Sequence, residues 1–377
     1  MEKPSTYSYV GMKVAPRKAQ PKRFAFPMMK AMKYGYSNAR AKAMKSLLLK
    51  KEFVLELVRM RTPSEVIERL ERTYYKDALV KLSMNYHSSD LVQVAGIVHF
   101  AKVVAKLGAV MPEGDRPVFN SLLAKWDIMN AKTLLNARRA GESYLKVAPF
   151  LIPIGSFHEK EAKAIVEGKS GEIFKLFIKS HLGKRILSSK VARAVEIEAL
   201  FNRMDTSDII KLETILDSFY YQLHRSAEFS SPELRPMVRM LRKEIDLKNA
   251  TVIARLKKHG ITDARAILKY IFKNGIKTPD IFRQIIDAKG DSDTLKRIAE
   301  VFEFKTVPSS IWELELIVGK KLATERHRAF YGSVLSAGPV LGFLFLIEEE
   351  MNNLRKIMVG KEFGVSSDKI EEMLVFP

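Results

Sequence analysis

One short helical phrase recurs four times along this 377-residue chain, and it limits what the chain can fold into. It reads YGYSNARAKAMKSLL from Tyr34, WDIMNAKTLLNARRAG from Trp126, IDLKNATVIARLKKHG from Ile245 and EEEMNNLRKIMVGK from Glu348. Aligned on the asparagine, the copies bring Asn38, Asn130, Asn249 and Asn353 into register. Ala39, Ala131 and Ala250 follow at once, while Leu354 breaks the pattern. Two positions past the asparagine stand Arg40, Lys132, Thr251 and Arg355, and Gly141 and Gly260 both lie eleven residues beyond theirs. Asparagine in a helix interior costs up to about 0.7 kcal/mol relative to alanine. Its recurrence in mid-pattern therefore points to a tertiary hydrogen bond. At any single copy, an N-cap or a solvated polar residue would explain it as well.

The asparagines are 92, 119 and 104 residues apart. Solenoid units run to roughly 20–50 residues, so these spacings describe subdomain-sized repeats, the fourth copy opening an incomplete unit. The punctuation agrees. Residues 1–33 form a basic, proline-containing arm. Met111-Pro112-Glu113-Gly114 closes a first repeat, 34–117. Pro232 and Pro236 close a second, 118–235, and 236–377 makes a third with closing C-terminal helices. Inside the units the asparagine helix is followed by a turn and a shorter helix. These read TPSEVIERLE from Thr62 (Ser64 as N-cap), GSFHEKEAKAIVEG from Gly155, KTPDIFRQIIDAKG from Lys277 and GVSSDKIEEMLVF from Gly364. Alternating strand patterns are nearly absent, so the expected fold class is all-α.

Charge narrows the partners. The chain carries a net +21, of which +11 falls in residues 1–50, where twelve Lys and Arg face the single acid Glu2. Such a balance suits nucleic acid, anionic lipid or an acidic protein. The absence of cysteine excludes disulfides, thiol catalysis and cysteine-ligated metal. The most apolar run, Val334 to Ile347, is fourteen residues long and contains Pro339. That is shorter than the about 20 residues of a membrane span, and it reads as a buried core helix. No signal peptide is expected, because the basic N-terminal residues precede no apolar stretch.

Catalytic motifs are missing. The seven histidines, His87, His99, His158, His181, His224, His259 and His327, include no pair at metal-helix spacing. Gly168-Lys169-Ser170 resembles half a nucleotide loop, but Lys163 stands where the motif needs glycine, so it reads as an ordinary loop. Glu348, Glu349 and Glu350 read as acids complementing a helix start. No cofactor, metal or catalytic residue is expected, and the chain reads as a scaffold or coupling protein.

Taken together, YGYSNARAKAMKSLLL, KEIDLKNATVIARL and GFLFLIEEEMNNLRKIMVGK resemble the C subunit of archaeal A-type ATP synthases, related to the d subunit of the vacuolar (V-type) ATPase, over about residues 34–377. The resemblance implies three similar helical subdomains in a pseudo-threefold, funnel-shaped arrangement. It implies a non-catalytic rotor subunit, coupling a central shaft made by the D and F subunits to a membrane proteolipid ring during proton or sodium transport. Its place would be peripheral, on the cytoplasmic face of the cell membrane. The basic arm fits anionic lipid headgroups. The alternative is a basic helical nucleic-acid-binding protein. That accounts for the charge but not for the four phrases, and outside the arm the basic residues are mixed with acids.

Overall fold

The computed structural model describes residues 25–154, 159–203, 206–225 and 229–376. Every regular element among them is helical, as the patterning requires. Residues 1–24 of the expected arm lie outside the described residues, as do Gly155 and His158 of the expected loop and helix start.

The chain opens with α1 (Ala25–Lys45), α2 (Lys51–Arg59), α3 (Pro63–Leu70), α4 (Lys76–Leu82) and the long α5 (Ser88–Val110). A second long helix, α6 (Arg116–Arg139), leads to α7 (Tyr144–Val147), α8 (Glu159–Glu167), α9 (Ser170–Lys179), α10 (His181–Ser188), α11 (Ala194–Arg203) and α12 (Thr206–Gln222). A third, α13 (Arg235–Lys258), leads to α14 (Ala264–Leu268), α15 (Pro279–Ile286), α16 (Gly290–Val301) and α17 (Ile311–Phe330). The last long helix, α18 (Gly338–Glu362), is followed by α19 (Ser367–Met373).

Local chemistry sets the ends of these elements. Helix α3 starts slightly earlier than the sequence suggests. Thr62, not Ser64, is the N-cap, and Pro63 takes the first helical position. Thr62 Oγ1 accepts from Glu65 N–H, while the Glu65 carboxylate accepts from the N–H of Arg61, the residue before the N-cap, a reciprocal cap one residue wider than the capping box. Ser310 and Glu313 do the same at α17. α6, α13 and α18 share a stronger signature. Each carries proline in its first turn, Pro117, Pro236 and Pro339, where the missing N–H costs nothing. Each ends at a left-handed glycine eleven residues past its asparagine: Gly141, Gly260 and Gly364, with φ of +70°, +80° and +65°. In all three, the next residue's N–H reaches back to the sixth carbonyl of a Schellman turn, Glu142 to Ala137, Ile261 to Leu256 and Val365 to Gly360. Gly364 thus joins Gly141 and Gly260 as a third member of the set. α1 has no such terminus.

The core sits in three clusters. The largest gathers α1, α5, α6, α8 to α13 and the first half of α18, around Trp126, Phe100, Phe201 and Phe345. A second surrounds the end of α13 with α14 to α17. The third joins residues 54–95 to residues 354–374, so the two chain ends share one core. That core crosses the unit boundaries expected at 117 and 235. The reason is that α18 packs lengthwise against α5 and also contacts α2 and α3. The apolar run Val340 to Ile347 is buried on every side at the start of α18, as befits a central helix. α5 has the length and composition of a membrane span, a property expected of no segment, and 56% of that window is packed inside the protein.

Three of the four asparagines make one and the same contact. Asn130 Nδ2 donates to Ile152 O and its Oδ1 accepts from Ile152 N, both at 2.8 Å. Asn249 holds Phe272 by the same pair, both at 2.8 Å. Asn353 holds Val375 at 2.8 and 3.1 Å. Each amide thus takes the N–H and C=O of one residue 22 or 23 positions downstream, as a neighbouring strand would. Asn38 differs. Its Nδ2 donates to Val334 O and Ser336 O in the loop before α18, and its Oδ1 is buried without a partner. Ala131 and Ala250 are buried beside their asparagines, whereas Ala39 is exposed.

Replacing Asn130 by leucine strips both partners from the buried Ile152 backbone, at about 1–3 kcal/mol for each orphaned group. Asn130→Leu is expected to lower unfolding stability by ~2–4 kcal/mol in a denaturant titration; an unchanged midpoint would contradict the clasp.

Candidate functional site

α6, α13 and α18 carry more than the asparagine. Three positions before it each has a buried acid: Asp127, Asp246 and Glu350. Asp246 Oδ2 accepts from the Ile276 and Lys277 N–H groups, at 2.8 and 3.0 Å, just ahead of α15. Glu350 Oε2 accepts from Leu49 N–H at 2.6 Å, just ahead of α2. Eight positions after the asparagine each has a cation. Arg138 donates to Ile165 O, Val166 O and Gly168 O at the end of α8, at 3.3, 3.2 and 2.8 Å. Lys257 donates to Ile286 O at 2.7 Å and to Ala288 O at the end of α15, and Lys361 donates to Val58 O near the end of α2. A cation on the last carbonyls of a helix is favoured both by hydrogen bonding and by the helix dipole. In these contacts α2 stands to α18 as α8 does to α6 and α15 to α13. The Gly168-Lys169-Ser170 loop thereby has a structural role, as one of these capped ends. α19 precedes its clasped residue, as α7 and α14 do. It is therefore the counterpart of those helices and not of α8 and α15, which its sequence resembles. The first phrase has Gly35 and Ser46 at the corresponding positions, so it shares neither acid nor cation.

Where these helices meet there is a recess of 340 Å³. Its charged lining comprises Lys125 and Lys132 of α6, Asp217 of α12, Glu244 and Lys248 of α13, Arg326 of α17, and Glu349 and Lys356 of α18. The residues five before each asparagine, Lys125, Glu244 and Glu348, take part in one buried network. Lys125 pairs with Glu348. Arg326 reaches Glu349 at 3.2 Å and Glu244 at 3.5 Å. Burial works against the Arg326 charge, but Glu244, Glu348 and Glu349 raise its pKa above the ordinary value. Burial likewise opposes ionisation of Glu244, yet Arg326, Lys125 and Lys248 hold it below the usual range. For Glu349 burial wins, and its carboxyl is raised. Lys248 is enclosed by the recess walls but open to its water. Burial lowers its pKa against the pull of Glu244 and Asp217, and it makes no ion pair among the described residues. Around the mouth, Lys132 pairs with Asp217 at 2.7 Å and Lys356 donates to Met373 O at 2.9 Å.

The repeat positions are thus separated. Lys132 and Asn353 line the recess. Asn130 and Asn249 are buried on the same helices. Asn38 lies on α1, and Arg40 and Arg355 are exposed. The triplet Glu348, Glu349 and Glu350 is not at a helix start. It lies in the middle of α18, and each member takes a different partner. Glu350 accepts from Tyr74 and Tyr75 hydroxyls as well as from Leu49, the Tyr75 contact at 3.0 Å. Among the described residues no group of His, Asp and Glu side chains is placed to hold a metal ion. The acid and cation positions are present in the sequence at fixed offsets, −3 and +8, and an alignment carried beyond the asparagine finds them.

Fold and recess define a helical scaffold in which three matching long helices, with α12 and α17, line a charged recess. A family profile described as ATP synthase (C/AC39) subunit matches residues 37–373. The C subunit of the A-type ATP synthase of Methanocaldococcus jannaschii is 25% identical over 360 residues, 91% of this chain and 86% of the relative. That of Methanosarcina acetivorans is 26% identical over 356 residues, covering 91% and 92%. That of Haloquadratum walsbyi is 25% identical, covering 89% and 96%. The chain belongs to the ATP synthase (C/AC39) subunit family.

The Glu350 site gives a pH signature. Burial raises its carboxyl to about 7, against the donors Tyr74, Leu49 and Tyr75. A carboxyl that binds its proton more tightly when folded stabilises the fold below its unfolded pKa of 4.5, and that contribution is lost as pH rises through about 7. His99, 4.5 Å from the Tyr74 ring, is lowered to about 4 by burial, Lys102 and Lys106. Its contribution is present above 6.5 and lost as pH falls, so it slopes the opposite way. The comparison with Glu350→Gln isolates the acid. Between pH 4.5 and pH 7 the variant is expected to gain on the wild type by up to about 1.4 kcal/mol per pH unit. Parallel stability curves from urea titrations would contradict a protonated Glu350.

Proposed function

We propose that this chain is a non-catalytic rotor subunit of an A-type or V-type ATP synthase or ATPase. It sits between the central shaft, built from the D and F subunits, and the membrane proteolipid ring, on the cytoplasmic face. The observation that carries the reading, beside family membership, is the recess framed by α6, α13 and α18. Equivalent positions of the three helices converge on it, as a socket on a rotation axis requires.

In this reading the units are α6 to α12, α13 to α17, and α18 to α19 completed by α2 to α5. Each pairs an asparagine-bearing long helix with a long returning one, α12, α17 and α5. Their arrangement is pseudo-threefold and funnel-shaped, and α1 closes the third unit onto the first. A part that carries torque must be stiff, and the clasps, capped helices and buried ion network tie the long helices to their neighbours at both ends. The basic N-terminal residues face anionic headgroups beside the ring, each Lys or Arg contributing about 1 kcal/mol near such a surface.

The recess lining holds five cations against three acids, so it suits an acidic shaft tip. Lys248 is the probe, because it lines the recess without a close ion pair of its own among the described residues. Lys248→Glu is expected to weaken binding of purified D and F subunits by ~10-fold or more, and Lys248→Gln, which puts no new carboxylate beside Glu244, to weaken it in the same direction by less. Undiminished binding, measured by calorimetry, would place the shaft elsewhere.

A further inference from the structure

α1 presents two different faces. Tyr34, Ser37, Asn38 and Ala41 point inward and are buried. The opposite face, at the helical spacing of residues 29, 32, 36, 39 and 43, carries Met29, Met32, Tyr36, Ala39 and Ala43, all exposed. Met29, Met32 and Tyr36 are 69%, 78% and 68% exposed, and Leu47, just past the helix, is 62%. Large apolar side chains at that exposure in a row are unusual for a surface helix, whose outer face is ordinarily polar. The helix contains five basic residues, Lys30, Lys33, Arg40, Lys42 and Lys45, and no acid. Lys30 and Lys33 are paired with Glu233 and Asp115 on one flank. Arg40 and Lys42 are exposed beside the apolar row.

We propose that the outer face of α1 is a membrane-docking surface that inserts its methionines and tyrosine among the headgroups of an anionic lipid leaflet. Charge selects the occupant. An apolar row edged only by cations, in the strongly basic N-terminal part of the chain, matches an interface that is apolar below and negative above. A second copy of the same face would bring Arg40 and Lys42 against their own kind. Tyrosine suits the boundary, with its ring in the acyl region and its hydroxyl in the headgroups. The proposal extends the lipid contact above from charge alone to apolar insertion, and it stands independently of the shaft and its recess.

The test uses the full chain and two kinds of vesicle, phosphatidylcholine alone and phosphatidylcholine with phosphatidylglycerol. The wild type is expected to float with the anionic vesicles and not with the neutral ones. Met32→Ser combined with Tyr36→Ser should weaken flotation by ~10-fold at any salt, since apolar burial is not screened. Arg40→Gln combined with Lys42→Gln should weaken it by ~10-fold at low salt and flatten its salt dependence. Melting temperature and binding of the D and F subunits are read on the same proteins and should not move. Flotation that the Met32 and Tyr36 changes leave intact overturns the insertion. So does wild-type protein that ignores both vesicles while still binding the shaft, which leaves the rotor reading standing. A wild-type dimer dispersed by Met32→Ser and Tyr36→Ser, without change in flotation, would assign the face to a second copy and also overturn it.

Discussion

The structure depends on side chains that satisfy the backbone of their neighbours. Helices satisfy themselves internally, but a protein made of short helices has many ends and connecting residues whose polar groups are buried. An unmatched buried N–H or C=O costs about 1–3 kcal/mol. α6, α13 and α18 answer this with fixed positions on one face: an amide for one extended residue and a cation for the companion's last carbonyls, and on α13 and α18 an acid for the backbone leading into the companion helix. Asparagine suits the middle position because it offers a donor and an acceptor about as far apart as those of a peptide unit. Aspartate would supply no donor, and leucine neither.

How much of this was legible follows from which contacts are local. The all-α class, the recurrence of the phrase and the expectation that its asparagine bonds outside its own helix came from periodicity and from the poor helix propensity of the residue. The clasped residues, 22 or 23 positions downstream, lie within reach of such reasoning once the offset is known. The partner of α18 does not. Its companion, α2, is 303 residues away at the Lys361–Val58 contact, and nothing in the spacing of Asn353 indicates that the chain start completes its unit. Asn38 makes the expected tertiary hydrogen bonds, but to other partners than the three clasps. It repeats the letters of the phrase without the acid, cation and glycine that define the set, and its partners lie 296 and 298 residues away.

The glutamate triplet shows how little a run of charges means before its surroundings are known. On α18 successive residues turn by about 100°, so three adjacent carboxylates point three ways. Glu348 meets Lys125, Glu349 meets Arg326, and Glu350 meets hydroxyls and a backbone N–H but no cation. Burial raises the Glu349 carboxyl despite Arg326, and it raises that of Glu350 to about 7 against hydrogen bonds alone. The same helix therefore ties α6 and α17 by ion pairs and the N-terminal segment by hydrogen bonds.

Closing one core with both chain ends has a physical consequence. Bringing such distant residues into contact costs loop-closure entropy that grows only as about (3/2)RT ln n, so the added length itself is thermodynamically mild. The timing is what changes. The cluster at the end of α13 is built from segments near in sequence, whereas the largest cluster and the core joining residues 54–95 to 354–374 both need α18. α18 also lines the recess with Glu349, Asn352, Asn353 and Lys356 and supplies two of the acids in its network. The recess therefore depends on α18, and Glu350 and Lys361 on that helix connect it to the N-terminal helices through Leu49, Tyr75 and Val58.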